Sequence, residues 1–189
     1  NGVDIDCQIA SDNVAGAELA TQYIVDTLGE NVKTAELVGT SGASAAIDRS
    51  QGFHNIADKK LKVVASQTAD FDRTQGMTVM ENMLQADSSI QAVFAGNDEM
   101  ALGALYELER RGYRIPEDIM ITGYDNIYEA QNHAPRITSV QRPEKELGRK
   151  AYTYLMDEIA GKPKIGSEQL LSWPVFAESC GCRCDTKED

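Results

Sequence analysis

Two stretches of this chain set amides and carboxylates where an apolar run stops. Ile90-Gln91-Ala92-Val93-Phe94-Ala95 leads through Gly96 into Asn97-Asp98-Glu99-Met100, and Ile119-Met120-Ile121-Thr122-Gly123-Tyr124 leads into Asp125-Asn126. Each reads as a buried strand ending at a polar cluster, the first with a helix opening directly behind it. In an open parallel sheet, side chains at the carboxyl ends of the strands line the ligand crevice. Amides that donate and accept, beside carboxylates that accept, suit an uncharged, hydroxyl-rich molecule better than a metal or a nucleic acid.

Other chemistries lack their residues. The two histidines, His54 and His133, fall away from the expected strand ends, and no nucleophile elbow, HExxH or Walker sequence is present. Catalysis is not expected. The small-residue loop Gly39-Thr40-Ser41-Gly42 lacks the GK[ST] ending and the dinucleotide spacing, so neither phosphate binding nor a cofactor is expected. The terminal Cys180-Gly181-Cys182-Arg183-Cys184 invites a metal reading, but common zinc sites separate paired thiolates by two to four residues. It is taken as a terminus with incidental thiols, with no metal, and a bridge from Cys7 stays open.

Composition narrows the partners. The 189 residues carry a net charge of -12, which repels a phosphate backbone or an anionic membrane unless a basic patch intervenes. The densest basic stretches, Arg110-Arg111 and Arg149-Lys150, are diluted by acids, so direct nucleic-acid contact is not expected. No run reaches the roughly 18 consecutive apolar residues of a membrane span. The chain begins at Asn1 without a signal peptide, which reads as a boundary inside a longer protein.

The positioning elements alternate. An extended segment at 7–10 meets Ser11-Asp12-Asn13, whose side chains can cap a helix carrying Ala17, Ala20, Ile24, Val25 and Leu28 at helical spacing. Strands are expected at 35–39, 63–66, 90–96, 118–124 and 137–141. Helices are expected through Phe53-Ile56-Ala57, through Met77-Met80-Met83-Leu84 as core, over 98–111 and near 127–132. Such pairs predict an α/β fold, an open parallel sheet with helices on both faces. After Pro143 the rhythm breaks: Leu147, Ala151, Leu155, Met156 and Ile159 make a long amphipathic helix, and Leu170 to Phe176 reads as one strand.

Five of these motifs, in this order, carry a resemblance. Ile9-Ala10-Ser11-Asp12-Asn13, Arg49-Ser50-Gln51-Gly52-Phe53, Ala69-Asp70-Phe71-Asp72-Arg73, Asn97 to Leu105, and Gly123-Tyr124-Asp125 resemble the type I fold shared by periplasmic ribose-binding proteins and the effector domains of lactose-repressor-type regulators. The similarity runs from about residue 8 to 142 and more loosely onward. It implies a two-lobe protein closing over a pentose or hexose, of which this chain holds one lobe. Residues 1–142 would be that lobe, with hinge crossings near 8–13 and 137–142. The helix at 143–164 would pack on a missing N-terminal lobe, 165–184 would be a return strand and tail, and 185–189 a disordered tail.

Carried over by position, the resemblance implies ligand contacts at Arg49, Phe71, Asn97, Asp125 and Gln141. Each has physical sense: a fork of donors, a flat apolar wall, amides that donate and accept, and a carboxylate for paired hydroxyls. Read from residue type alone, Arg49 could be a solvated helix residue, Phe71 core, Asn97 and Asp125 helix caps, and Gln141 plain loop. Asp12 and Asn13 are expected at the hinge as caps, and Asp98 to cap or orient Asn97. The loop Gly112 to Ile119, the segment Ile137 to Pro143 and the ending Glu178 to Cys182 are similar to regulators. They favour a cytoplasmic, homodimeric effector sensor over a periplasmic or cell-surface receptor of a transport system.

Overall fold

The computed structural model describes residues 6–182. In chain order they form β1 (Ile9–Ser11), α1 (Asn13–Leu28), β2 (Lys33–Val38), α2 (Ser44–Lys60), β3 (Lys62–Thr68), α3 (Arg73–Ala86), β4 (Ala92–Ala95) and α4 (Asp98–Arg110). Then follow β5 (Met120–Thr122), α5 (Tyr128–Asn132), β6 (Ser139–Gln141), α6 (Glu144–Ile159), β7 (Glu168–Leu170), β8 (Trp173–Val175) and a 3-10 turn at Glu178–Cys180. Cys184 and the 185–189 tail lie outside the described residues.

Strands β3, β2, β4 and β5 form a parallel sheet in that order. Because β2 lies between β3 and β4, the chain winds one way and then the other, and the reversal opens a crevice at the carboxyl ends of β2 and β4. A parallel bridge from Thr122 to Thr138 attaches the approach to β6 at the far edge.

Strand alternation explains why both faces are covered. Ala92, Phe94 and Met120 turn toward a core with Ala17, Ala20 and Ile24 of α1 and Phe53 and Ala57 of α2. Their neighbours Val93, Ala95 and Ile121 turn to the other core, with Met80, Met83 and Leu84 of α3 and Leu102, Leu105 and Leu108 of α4. A strand buried on both faces must be apolar at every position, which is why these runs show no polar alternation. Met77 of the expected methionine stripe is only half-buried.

Three helices start at side-chain caps. Asp12 Oδ1 accepts from the Ala15 N–H at 2.9 Å, Asp72 Oδ1 from Gln75 at 2.8 Å, and Asn97 Oδ1 from Met100 at 3.0 Å. Each such cap contributes about 1 kcal/mol. Asp72 and Asn97 also fix where the loops after β3 and β4 end.

The single strand expected over Leu170 to Phe176 is two strands in two sheets. β7 pairs parallel with β1, while β8 runs antiparallel to β6, with Leu171 and Ser172 between them. Pro174 within β8 has no N–H to give, which a strand bordering a single neighbour tolerates. The strands at β5 and β6 are also shorter than 118–124 and 137–141. Helix α6 buries none of its residues, and Tyr152, Leu155, Met156 and Ile159 are exposed.

Helices α3 and α4 approach closely at Gly103, where an added Cβ would stand 2.0 Å from the Arg73 carbonyl oxygen and 2.8 Å from the Met77 nitrogen. Gly103→Ala should therefore destabilise by about 1–3 kcal/mol, although alanine is worth about 1 kcal/mol more than glycine in a free helix. Urea unfolding measures this; a stabilised variant would mean the two helices are not in that contact.

Candidate ligand-binding site

Arg49 enters the crevice from the second turn of α2 and is 4% exposed. Its Nε donates to Asn13 Oδ1 at 3.1 Å, Nη1 to the Gly96 carbonyl at 2.7 Å and Nη2 to Asp125 Oδ1 at 2.9 Å. The guanidinium carbon lies 3.8 Å from the Tyr124 ring centroid and 5.8 Å from that of Phe71. A cation so far removed from water must be paired and hydrogen-bonded, and a planar fork over an aromatic face does both.

Asp125 follows β5 with φ +103 and is half-buried. Its N–H donates to the Val140 carbonyl at 2.9 Å, tying the loop to β6. Arg142 Nε stands 3.0 Å from the same Oδ1 that Arg49 holds, as an ion pair without hydrogen-bond alignment, and Arg142 Nη2 bonds Glu144 at 2.8 Å. One carboxylate oxygen thus faces two guanidinium groups.

Phe71 follows β3 with φ +58, and its ring lies over the end of β2 at Gly39, where a Cβ would come within 2.0 Å of it. Asn97 uses Oδ1 as the cap of α4, while Nδ2 makes a long 3.4 Å contact to the Phe71 carbonyl. Capping and ligand contact are therefore compatible for Asn97, since the cap takes one end of the amide. Gln141 Oε1 accepts from Asn126 Nδ2 at 2.7 Å, and its Nε2 donates to the Arg142 carbonyl. The structure brings Arg49, Phe71, Asn97, Asp125 and Gln141 together at one edge of the sheet, the carboxyl edge.

Asp12 and Asn13 sit beside this cluster: Asp12 caps α1, its N–H donates to the Leu170 carbonyl of β7, and Asn13 holds Arg49. Asp98 differs from expectation. Asn97 caps α4, and the fully buried Asp98 carboxylate reaches across instead, accepting from Ser139 Oγ at 2.7 Å and the Ile127 N–H at 2.8 Å. It turns inward because it is the first residue of α4, facing the loop after β5 and the start of β6. Burial pushes its carboxyl up to about 7, against the pull of Ser139 and Ile127 and with help from the Asp125 charge.

Sequence reasoning missed Tyr124, Asn126 and Arg142. Asn126, at φ +54, has a buried Oδ1 without a hydrogen-bond partner. Its signal was adjacency to Asp125 within a polar cluster at a strand end; Arg142 was similarly adjacent to Gln141. Among the described residues, no group of three or more His, Cys, Asp or Glu could hold a metal ion, and no helix is long and apolar enough to cross a membrane.

Comparison with known proteins gives a consistent picture. A family model described as "periplasmic binding protein domain" matches residues 1–163. The ribose import binding protein RbsB of Bacillus subtilis is 46% identical over 179 residues, 93% of this chain and 56% of that protein. The HTH-type transcriptional regulator CelR of Thermobifida fusca is 32% identical over 154 residues, 80% of this chain and 45% of that protein. Among solved structures, the periplasmic binding protein of an arabinose ABC transporter from Shewanella sp. ANA-3, bound to L-arabinofuranose, superposes with a TM-score of 0.84 at 32% identity, over 93% of this chain and 62% of that one. The chain spans about half the length of the curated relatives it matches.

The raised Asp98 value has a stability signature. A carboxyl that holds its proton more tightly when folded adds stability that is full below the unfolded value near 4 and lost as pH rises through about 7. His54 acts with the same sign: against the desolvation that lowers it, Asp58 and Glu36 hold it above its ordinary value. The urea midpoint should fall between about pH 5 and 7, the upper part of the span those values set, and more steeply in the native protein than in Asp98→Asn, which cannot titrate there. Parallel curves for the two proteins would remove Asp98 from this role.

Proposed function

The chain belongs to the periplasmic binding protein domain family, and on that premise we propose that it forms one wall of a pocket for a pentose or hexose, bound without turnover. The observation that carries the proposal is the meeting of Arg49, Phe71, Asn97, Asp125 and Gln141 on one sheet edge. The groups form a hydrogen-bonding surface in which donors and acceptors lie side by side, as the paired demands of sugar hydroxyls require. Phe71 supplies the apolar wall, and Asp125 the anion whose charge-assisted bonds are the stronger kind. Asn126 and Arg142 join them, each contributing a buried polar atom with hydrogen-bonding capacity in hand.

The ligand would be shared with an N-terminal lobe outside this chain. That lobe is the natural cover for Tyr152, Leu155, Met156 and Ile159 on α6, which stand in solvent here. Sugar bridging the two lobes would stabilise the closed arrangement by its differential affinity for it. We assign the output to effector sensing in a cytoplasmic homodimeric regulator or signalling protein, on the regulator-like loop 112–119 and the tail 178–182. A transport receptor is the second reading, favoured by the greater identity to the import protein than to the regulator. A DNA-binding or signalling module in the full-length protein supports the first; a secretion signal ahead of this segment supports the second.

Calorimetry of the full-length protein with D-ribose, L-arabinose and hexoses should give saturable binding to at least one. Asp125→Asn, which keeps the side-chain size but removes the charge, should weaken it by about 2–4 kcal/mol, or roughly 30-fold to 1000-fold. Full affinity in a folded Asp125→Asn variant would exclude Asp125 as a ligand contact, and no binding by the native protein to any sugar would end the proposal.

A further inference from the structure

Apart from the ligand site, Tyr23 of α1 meets the end of the described chain. Its ring stacks on Phe176, with centroids 4.1 Å apart. Its hydroxyl lies 2.7 Å from Cys182 Sγ, and the ring packs against the buried cluster that holds Cys180. Both thiols therefore sit beside the same phenol, one residue apart across Gly181. Gly181 between them has φ +82 and ψ 2, a left-handed turn that most residues avoid, and its N–H closes on the Glu178 carbonyl. Residues flanking such a turn fall within the Cα separation of about 4.4–6.8 Å that a disulfide needs.

The two thiols differ in surroundings. Cys180 is 2% exposed and contacts Thr138 Oγ1 and the Ala177 carbonyl; burial pushes its thiol up. Cys182 is only partly buried. Burial, the Cys182 bond and the neighbouring Cys180 thiol hold the Tyr23 hydroxyl protonated well above its usual range. Cys7 is placed elsewhere, its thiol at 3.5 Å from the Gly166 carbonyl.

We propose that Cys180 and Cys182 form a reversible thiol–disulfide site whose co-reactant is a small-molecule disulfide. The accessible Cys182 thiolate attacks one sulfur of the co-reactant, forming a mixed disulfide and expelling one thiolate. Cys180, deprotonated in turn, attacks Cys182 Sγ, forms the internal bond and expels the second thiolate. The two expelled thiolates take up the two protons given up by the cysteines, so two protein thiols are oxidised as one disulfide is reduced to two thiols. The bond would persist in an oxidising compartment and reopen in a reducing one.

The sequence provides a clean readout, because trypsin releases residues 165–183 as one peptide containing Cys180, Cys182 and no other cysteine. The full-length protein is treated under native conditions with oxidised glutathione, alkylated, and digested without reduction. The expected peptide has lost both thiol hydrogens, resists alkylation, and recovers both thiols on treatment with dithiothreitol. Cys182→Ser should abolish the internal bond, and Cys7→Ser should leave it unchanged. A doubly alkylated peptide, a peptide joined to that of Cys7 or Cys184, or one that stops as a glutathione adduct would overturn the proposal.

Discussion

The site depends on keeping one guanidinium paired out of water. The Arg49 side chain is 5% exposed, and its charge is met by a single carboxylate, Asp125, which comes from a strand end 76 residues away. Removing one partner of such a buried pair costs about 3–5 kcal/mol, because the other is left uncompensated. That penalty fixes the positions of α2, the Gly96 turn and the loop after β5 relative to each other. The cluster is thus preorganised: its geometry is set by the protein's own electrostatics rather than by an incoming molecule.

Backbone conformation at the same edge carries a cost that these bonds offset. Asp70, Phe71, Asp125 and Asn126 all adopt positive φ between 54° and 103°. Left-handed backbone in residues with side chains costs on the order of 1–3 kcal/mol each and persists where surroundings over-determine it. The surroundings here are explicit. Asp125 N–H is held by the Val140 carbonyl and Asn126 N–H by Ser139 Oγ, while Ser139 is itself anchored to the buried Asp98. The strain turns Phe71 onto Gly39 and brings Asp125 to Arg49, so the loops after β3 and β5 are shaped by what they present.

The molecule divides into a part whose sheet is covered on both faces and a part whose helix is exposed. The central sheet is covered on both faces, and α1, α3 and α4 upon it start at side-chain caps. By contrast, β1 and β7 form a two-stranded sheet, and α6 beside them shows its apolar residues to solvent. Two strands and a helix with no buried side chain bury too little apolar surface for independent stability. The residues proposed to contact the ligand lie near the meeting of these two parts, where Asp12 caps α1 and also bonds Leu170 of β7. Movement of the small sheet would therefore be felt at Asn13 and, through it, at Arg49.

Periodicity determined the fold class, because strands buried on both faces must be apolar throughout and the helices between them must carry one apolar stripe. The polar stops at Asn97 and Asp125 were visible for the same reason, and motif order selected Arg49, Phe71 and Gln141. Pairing was not legible. No local pattern shows that Asp98 would turn inward to Ser139 while Asn97 caps α4, or that Arg142 would share Asp125 with Arg49. Nor does the run from Leu170 to Phe176 reveal that it divides between two sheets. A sequence records which groups need partners, but the partner at 41 or 76 residues' separation is chosen by strand order and register. Those exist only once the chain has folded.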